Sequence, residues 1–198
     1  MSGLNRGALV GLIAGAVVMF GFGILWLLLG LSQSALPVWF FILVAGAGAV
    51  LAVAIAVLRL RVSRLPRDAI APSAQEIAAG RAIGRRFGLV FGIEAGAIFL
   101  AVVGLNAVHL PEYIPCAVAL IVGVHFFPLA RLFKAPVYYV TGALGCAIAL
   151  AGCVVRDTGL RQEAVGLSFG LLLWATAARI TKIGFSAVRR TANDSPEP

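Results

Sequence analysis

Charge is scarce in this chain. Only 12% of its 198 residues are Asp, Glu, Lys or Arg, and eight of those are acidic, where a water-soluble domain carries about 25% charged residues. Histidine occurs twice, at His109 and His125, and cysteine three times, at Cys116, Cys146 and Cys153. The two histidines fall near opposite ends of neighbouring apolar segments, so they cannot hold one haem or metal ion together. The cysteines form no C-x-x-C pair or disulfide framework and read as small apolar packing residues. Walker A, G-x-S-x-G and H-E-x-x-H patterns are missing. Only one carboxylate, Glu94, lies deep in an apolar segment, which leaves no paired acid and base for hydrolysis. No catalytic residue, metal or cofactor is expected.

What the chain has in abundance is apolar length. Hydrophobic residues make up 61% of it and the mean hydropathy is +1.02. A window of about 19 residues finds six segments long enough for a hydrocarbon core of about 30 Å. They lie at about 9–31, 38–58, 87–108, 113–130, 136–155 and 164–180. The runs are apolar all round, without the period of two that a barrel strand needs. The expected fold is therefore all-α, a polytopic six-helix transmembrane bundle forming one domain over 1–190. Residues 59–86 form a basic loop with a helical elbow, and "TANDSPEP" (191–198) forms a disordered tail. The first apolar stretch has no clean cleavage site and is counted as a span.

The basic residues give the chain its direction. Arg59, Arg61, Arg64, Arg67, Arg81, Arg85 and Arg86 crowd the connection between spans two and three. Arg6, Arg131, Lys134, Arg179, Lys182, Arg189 and Arg190 flank the other span ends on the same side, and only Arg156 and Arg161 lie opposite. The positive-inside rule then places both termini in the cytoplasm. A formal net charge of +8 would suggest nucleic acid in a soluble protein. Here topology accounts for it, so no nucleic acid is expected, and the basic face is suited to anionic lipid headgroups.

The stretch "GRAIGRRFGLVFGIEAGAIF" (80–99) places glycine at every fourth position: Gly80, Gly84, Gly88, Gly92 and Gly96. Span one repeats the device at Gly7, Gly11 and Gly15. Small residues spaced by four allow membrane helices to approach closely, so both rows are expected to be packing seams, within the chain or between two copies of it. Similarity of 7–17 to 88–98 fits either an old hairpin duplication or low complexity. "SAQE" (73–76) is a capping box that starts a helix near Ala74. That helix either continues through span three or hinges at Gly84.

Glu94 lies about 10 Å into span three and His125 about 9 Å into span four, counted from the same side at 1.5 Å per residue. The short turn "NAVHLPEY" makes those antiparallel spans neighbours. At 100° per residue Glu94 falls opposite the glycine row. Pro128, one turn beyond His125, withholds an N–H from the Val124 carbonyl and is expected to kink the span. Arg131 and Tyr138 lie near the same end. An intramembrane carboxylate indicates a pathway, a proton relay or a ligand site, and the bland alternative is a buried pair that fixes helix register. Trp26 and Trp39 read as interfacial belt residues.

"RRFGLVFGIEAG" with "IVGVHFFPLARLFKAPVYY", between Arg85 and Tyr139, resembles a group of uncharacterised bacterial integral membrane proteins with a G-x-H-F-x-P-L-A segment. The resemblance implies that Glu94, His125, Pro128 and Arg131 share one site and that the chain resides in a bacterial inner membrane. It implies no activity. Two functions fit the residues. One is a transporter or channel-like protein for a small solute or ion, with a proton-linked Glu94/His125 site. The other is a non-catalytic scaffold that binds lipid or a partner, including a second copy of itself.

Overall fold

Apolar segments without internal charge become helices in lipid because only a helix satisfies every backbone N–H and C=O within one segment. The computed structural model describes residues 6–32, 34–64 and 74–193, and among these it is helical with no strand. The helices are α1 (Arg6–Leu31), α2 (Val38–Ser63), α3 (Ala74–Ala107), α4 (Ile114–Phe133), α5 (Pro136–Cys153) and α6 (Thr158–Asn193), with a 3-10 turn over Pro111–Tyr113 before α4. All six are long and apolar enough to cross a membrane. The helix expected from Ala74 is continuous through Gly84, at 34 residues. Ser73 of the capping box and the tail from 194 lie outside the described residues.

Helix α6 overruns the apolar segment at both ends. Asp157 caps its start by accepting the Leu160 N–H at 2.7 Å, the arrangement expected of an N-cap. Beyond Arg179 the helix continues with one apolar face, where Ile180, Gly184 and Val188 are buried while Lys182, Arg189 and Arg190 are exposed. Hydropathy alone ends the span at about residue 180 because it averages over both faces.

Contacts divide the chain into two units. The first comprises α1 up to Ile24, α2, and α6 from Leu173. Residues Val44, Gly48, Leu51, Ile55, Leu58 and Val62 give α2 one buried stripe. Its lower part joins a core of Leu9, Ile13, Leu58, Val62 and Val188. The outer edge of the Trp174 indole lies against Gly48, where a Cβ would come within 2.6 Å of it. It stacks on Phe20 with centroids 5.6 Å apart and donates its N–H to the Phe20 carbonyl at 3.2 Å.

The second unit comprises the end of α1, α3, α4, α5 and α6 up to Leu172. Here glycine brings backbones into contact. A Cβ on Gly166 would lie 2.5 Å from the Gly30 nitrogen, and one on Gly30 would lie 2.6 Å from the Leu167 nitrogen. Helices α4 and α5 meet in the same way, because a Cβ on Gly123 would fall 2.8 Å from the Cys146 nitrogen and one on Gly142 would fall 2.8 Å from the Gly123 oxygen. Trp26, read from sequence as a belt residue, is instead buried against Phe169 with centroids 4.7 Å apart.

The regular glycine rows are not where this packing occurs. At Gly80, Gly84, Gly88, Gly92, Gly96 and Gly11 an added Cβ would meet nothing within 4 Å. Gly7 is exposed and Gly15 half-buried. Among the described residues of its own unit the row on α3 meets no neighbour, so its expected role in packing is not met within that unit. A four-residue period sets which face carries the glycines, but the tertiary arrangement decides whether a neighbour covers that face.

Two helices end on non-glycine residues in the left-handed region, His109 with φ 58° and Lys134 with φ 50°. In each case the next N–H bonds five residues back, Leu110 to Leu105 at 2.8 Å and Ala135 to Ala130 at 3.1 Å, which closes a Schellman cap. Left-handed backbone costs an L-residue about 1–2 kcal/mol. Lys134→Gly should therefore raise stability by about 1 kcal/mol in detergent unfolding. Gly166→Ala, overpacked against backbone, should lower it by about 1–3 kcal/mol, whereas Gly92→Ala should leave it unchanged or slightly higher. Equal effects at Gly166 and Gly92 would contradict this packing.

Candidate functional site

Helix α3 presents Val90, Glu94, Ala97, Ile98, Ala101 and Val102 as its half-buried face, while the glycines lie exposed on the other. This is the division expected from the helical wheel, with Glu94 turned from the glycine row. Helix α4 buries Cys116, Ala119, Gly123, Phe126, Leu129 and Ala130, and His125 lies on the edge of that stripe. The two polar residues meet where α3 packs on α4.

His125 Nδ1 stands 3.2 Å from Glu94 Oε2, and the two side chains are 9% and 11% exposed. The distance is that of an ion pair, yet Nδ1 is a buried atom with no hydrogen-bond partner. The two observations differ in what they require. Charge attraction depends on separation, whereas a hydrogen bond also needs the donor to point at the acceptor. We therefore describe the pair as close but misaligned. A carboxylate beside an imidazolium, or a carboxylic acid beside a neutral imidazole, differ by one proton moved between Oε2 and Nδ1. The site can hold one proton in either place.

The remaining expected site residues are distributed around this pair. Pro128 lies within α4, which stays helical through it, and is exposed; its missing N–H leaves the Val124 carbonyl without its usual partner. Arg131 is exposed one turn further on. Tyr138 is buried, with its ring 5.7 Å from Phe126 and 6.4 Å from Phe133. Phe126 in turn lies 6.0 Å from the His125 ring. Phe133 also meets Phe87 at 6.0 Å, which stacks on Phe91 at 6.2 Å. An aromatic cluster thus borders the pair on the side toward Arg131 and Lys134.

One buried charge was not legible as such. Arg161, read as a loop residue, is 3% exposed. Its Nε and Nη2 donate to the Val155 carbonyl at 3.0 and 2.7 Å, its Nη1 donates to the Glu112 carbonyl at 3.3 Å, and its guanidinium covers the Tyr113 ring at 4.0 Å. It ties the turn before α4 to the α5–α6 connection. Asp157 and Glu163 lie near it in sequence, but its hydrogen bonds go to backbone carbonyls instead. Among the described residues no group of three His, Cys, Asp or Glu could hold a metal.

Residues 85–181 match a family of unknown function (DUF7010). The match covers just under half of the chain, begins at Arg85 and includes Glu94, His125, Pro128, Arg131, Tyr138 and Arg161. No curated protein and no solved structure matches the chain.

Contact between Glu94 and His125 has a measurable consequence. Residues in direct contact couple by about 0.5–3 kcal/mol in a double-mutant cycle. Glu94→Gln, His125→Ala and the double variant, unfolded in one detergent, should show coupling in that range. Additive effects would mean that the pair does not form in the folded protein.

Proposed function

We propose that this multi-pass membrane protein is a non-enzymatic transporter or channel-like protein for a small solute or ion, with its polar site at Glu94 and His125. The observation that supports the reading most is the misaligned pair: a carboxylate and an imidazole 3.2 Å apart, nearly shut off from solvent, with Nδ1 making no hydrogen bond. A pair retained only to fix helix register would be expected to align its donor and acceptor, because an unsatisfied buried polar atom costs about 1–3 kcal/mol. Protonating either group changes the local charge and biases the α3–α4 contact. In this reading both termini are cytoplasmic, the arginine-rich connections lie against anionic headgroups, and the membrane is the inner membrane of a bacterium, as the basic loops and the sequence resemblance suggest.

A second reading, a scaffold that binds lipid or a second copy of the chain, draws support from the uncovered glycine face of α3. Water access separates the two. In a background with Cys116, Cys146 and Cys153 replaced by Ala, Glu94→Cys in sealed vesicles should react within minutes with a small, charged thiosulfonate that does not cross lipid. If Glu94→Cys reacts only after detergent denaturation, the pair lies in a dry core and the scaffold reading replaces transport.

A further inference from the structure

The start of α1 and the end of α2 pack on one another in the first unit through Leu9, Ile13, Leu58 and Val62. Beside this contact lies a cavity of about 180 Å³ bounded by Val10, Ile13, Arg59, Val62 and Ser63. Its floor is apolar, since Ile13 and Val62 are buried, while Val10, Arg59 and Ser63 are exposed at its rim. One turn deeper on each helix the exposed residues are Ala14 and Ala56, so only methyl groups flank the way from the cavity into the apolar part of both spans.

Charge at this place is one-sided. The described residues of the first unit include eight arginines and lysines and no aspartate or glutamate. Arg61 lies over the Phe185 ring at 5.5 Å, but Arg59 makes no hydrogen bond or ion pair among the described residues. Ser63 already donates its hydroxyl to the Leu60 carbonyl at 2.8 Å, so Arg59 is the donor that the cavity has to offer. A guanidinium without a carboxylate, beside an apolar hollow near the end of a span, is complementary to a molecule with an anionic head and an apolar body. Anionic phospholipids have both, and basic pockets between membrane helices take their headgroups.

We propose that the cavity between α1 and α2 is a binding site for one anionic phospholipid. Arg59 donates paired N–H bonds to the phosphodiester, the geometry that a guanidinium favours. One acyl chain lies over Val10 and Ile13 and runs toward Ala14 and Ala56. This is a single site of fixed stoichiometry, and it differs in that from the diffuse attraction of the arginine-rich connections for headgroups. The inference is independent of whether Glu94 and His125 serve transport.

The test uses the full chain, stripped of lipid in detergent and titrated with dioleoylphosphatidylglycerol or dioleoylphosphatidylcholine, with native mass spectrometry as the readout. The wild type should carry one phosphatidylglycerol at concentrations where phosphatidylcholine leaves it bare. Arg59→Gln should weaken that binding by about tenfold or more, as expected for losing hydrogen bonds to a charged group. Arg64→Gln changes an exposed arginine outside the cavity and should leave the adduct as it is. Val10→Trp fills the cavity from its exposed rim and should remove the adduct while the protein stays folded. Four results would overturn the proposal. A wild type that takes up no phosphatidylglycerol has no such site. Equal weakening by Arg59→Gln and Arg64→Gln would mean diffuse attraction. A Val10→Trp variant that binds normally would mean that the acyl chain lies elsewhere. Displacement of the lipid by inorganic phosphate would mean a site for free phosphate.

Discussion

The fold depends on backbone meeting backbone at glycine. In lipid the apolar surface of one helix gains little from hiding against another, since the hydrocarbon is already apolar, so close packing has to supply the attraction. At Gly30 against Gly166, and at Gly123 against Gly142 and Cys146, no side chain intervenes. Each crossing fixes where the residues on either side of it fall. His125 is two residues beyond Gly123, so the α4–α5 contact that locks Gly123 also sets which way His125 can turn.

Helix α3 is held differently. None of its described residues is fully buried and its glycine row meets nothing, so what it brings to α4 is a half-buried face with one carboxylate on it. Intramembrane carboxylates are expensive, and this one lies on the helix with the least apolar packing to offset the cost. Its proximity to His125 offsets part of that cost. The misalignment at Nδ1 leaves part of it unrecovered.

How much of this was legible in the sequence follows from which quantity each feature depends on. Helix number depends on run length and composition, which the chain carries openly. The Glu94–His125 meeting was legible because depth along two antiparallel spans joined by a short turn can be counted residue by residue. The packing glycines were not legible. Gly30 and Gly166 belong to no regular row, and what makes them matter is a crossing point that no local pattern encodes. The regular row on α3 was the conspicuous signal, yet it marks a face with no partner among the described residues of its unit. Arg161 was hidden by its acidic neighbours in sequence, which do not receive its hydrogen bonds.

These features place the two faces of α4 under unequal constraint. Its contact with α5 is made backbone to backbone, so it can change only if that crossing opens. The Glu94–His125 pair lies between α4 and α3, and among the described residues of its unit nothing lies within 4 Å of a Cβ added on the glycine face of α3. A small turn of α3 about its own axis would carry Oε2 toward or away from Nδ1 without disturbing any glycine contact. A proton added to or removed from the pair alters only a few kcal/mol of interaction, which is too little to separate backbones packed through glycine but comparable to the cost of shifting a lightly buried helix. If protonation moves any part of this protein, α3 is the part that the packing leaves free to move.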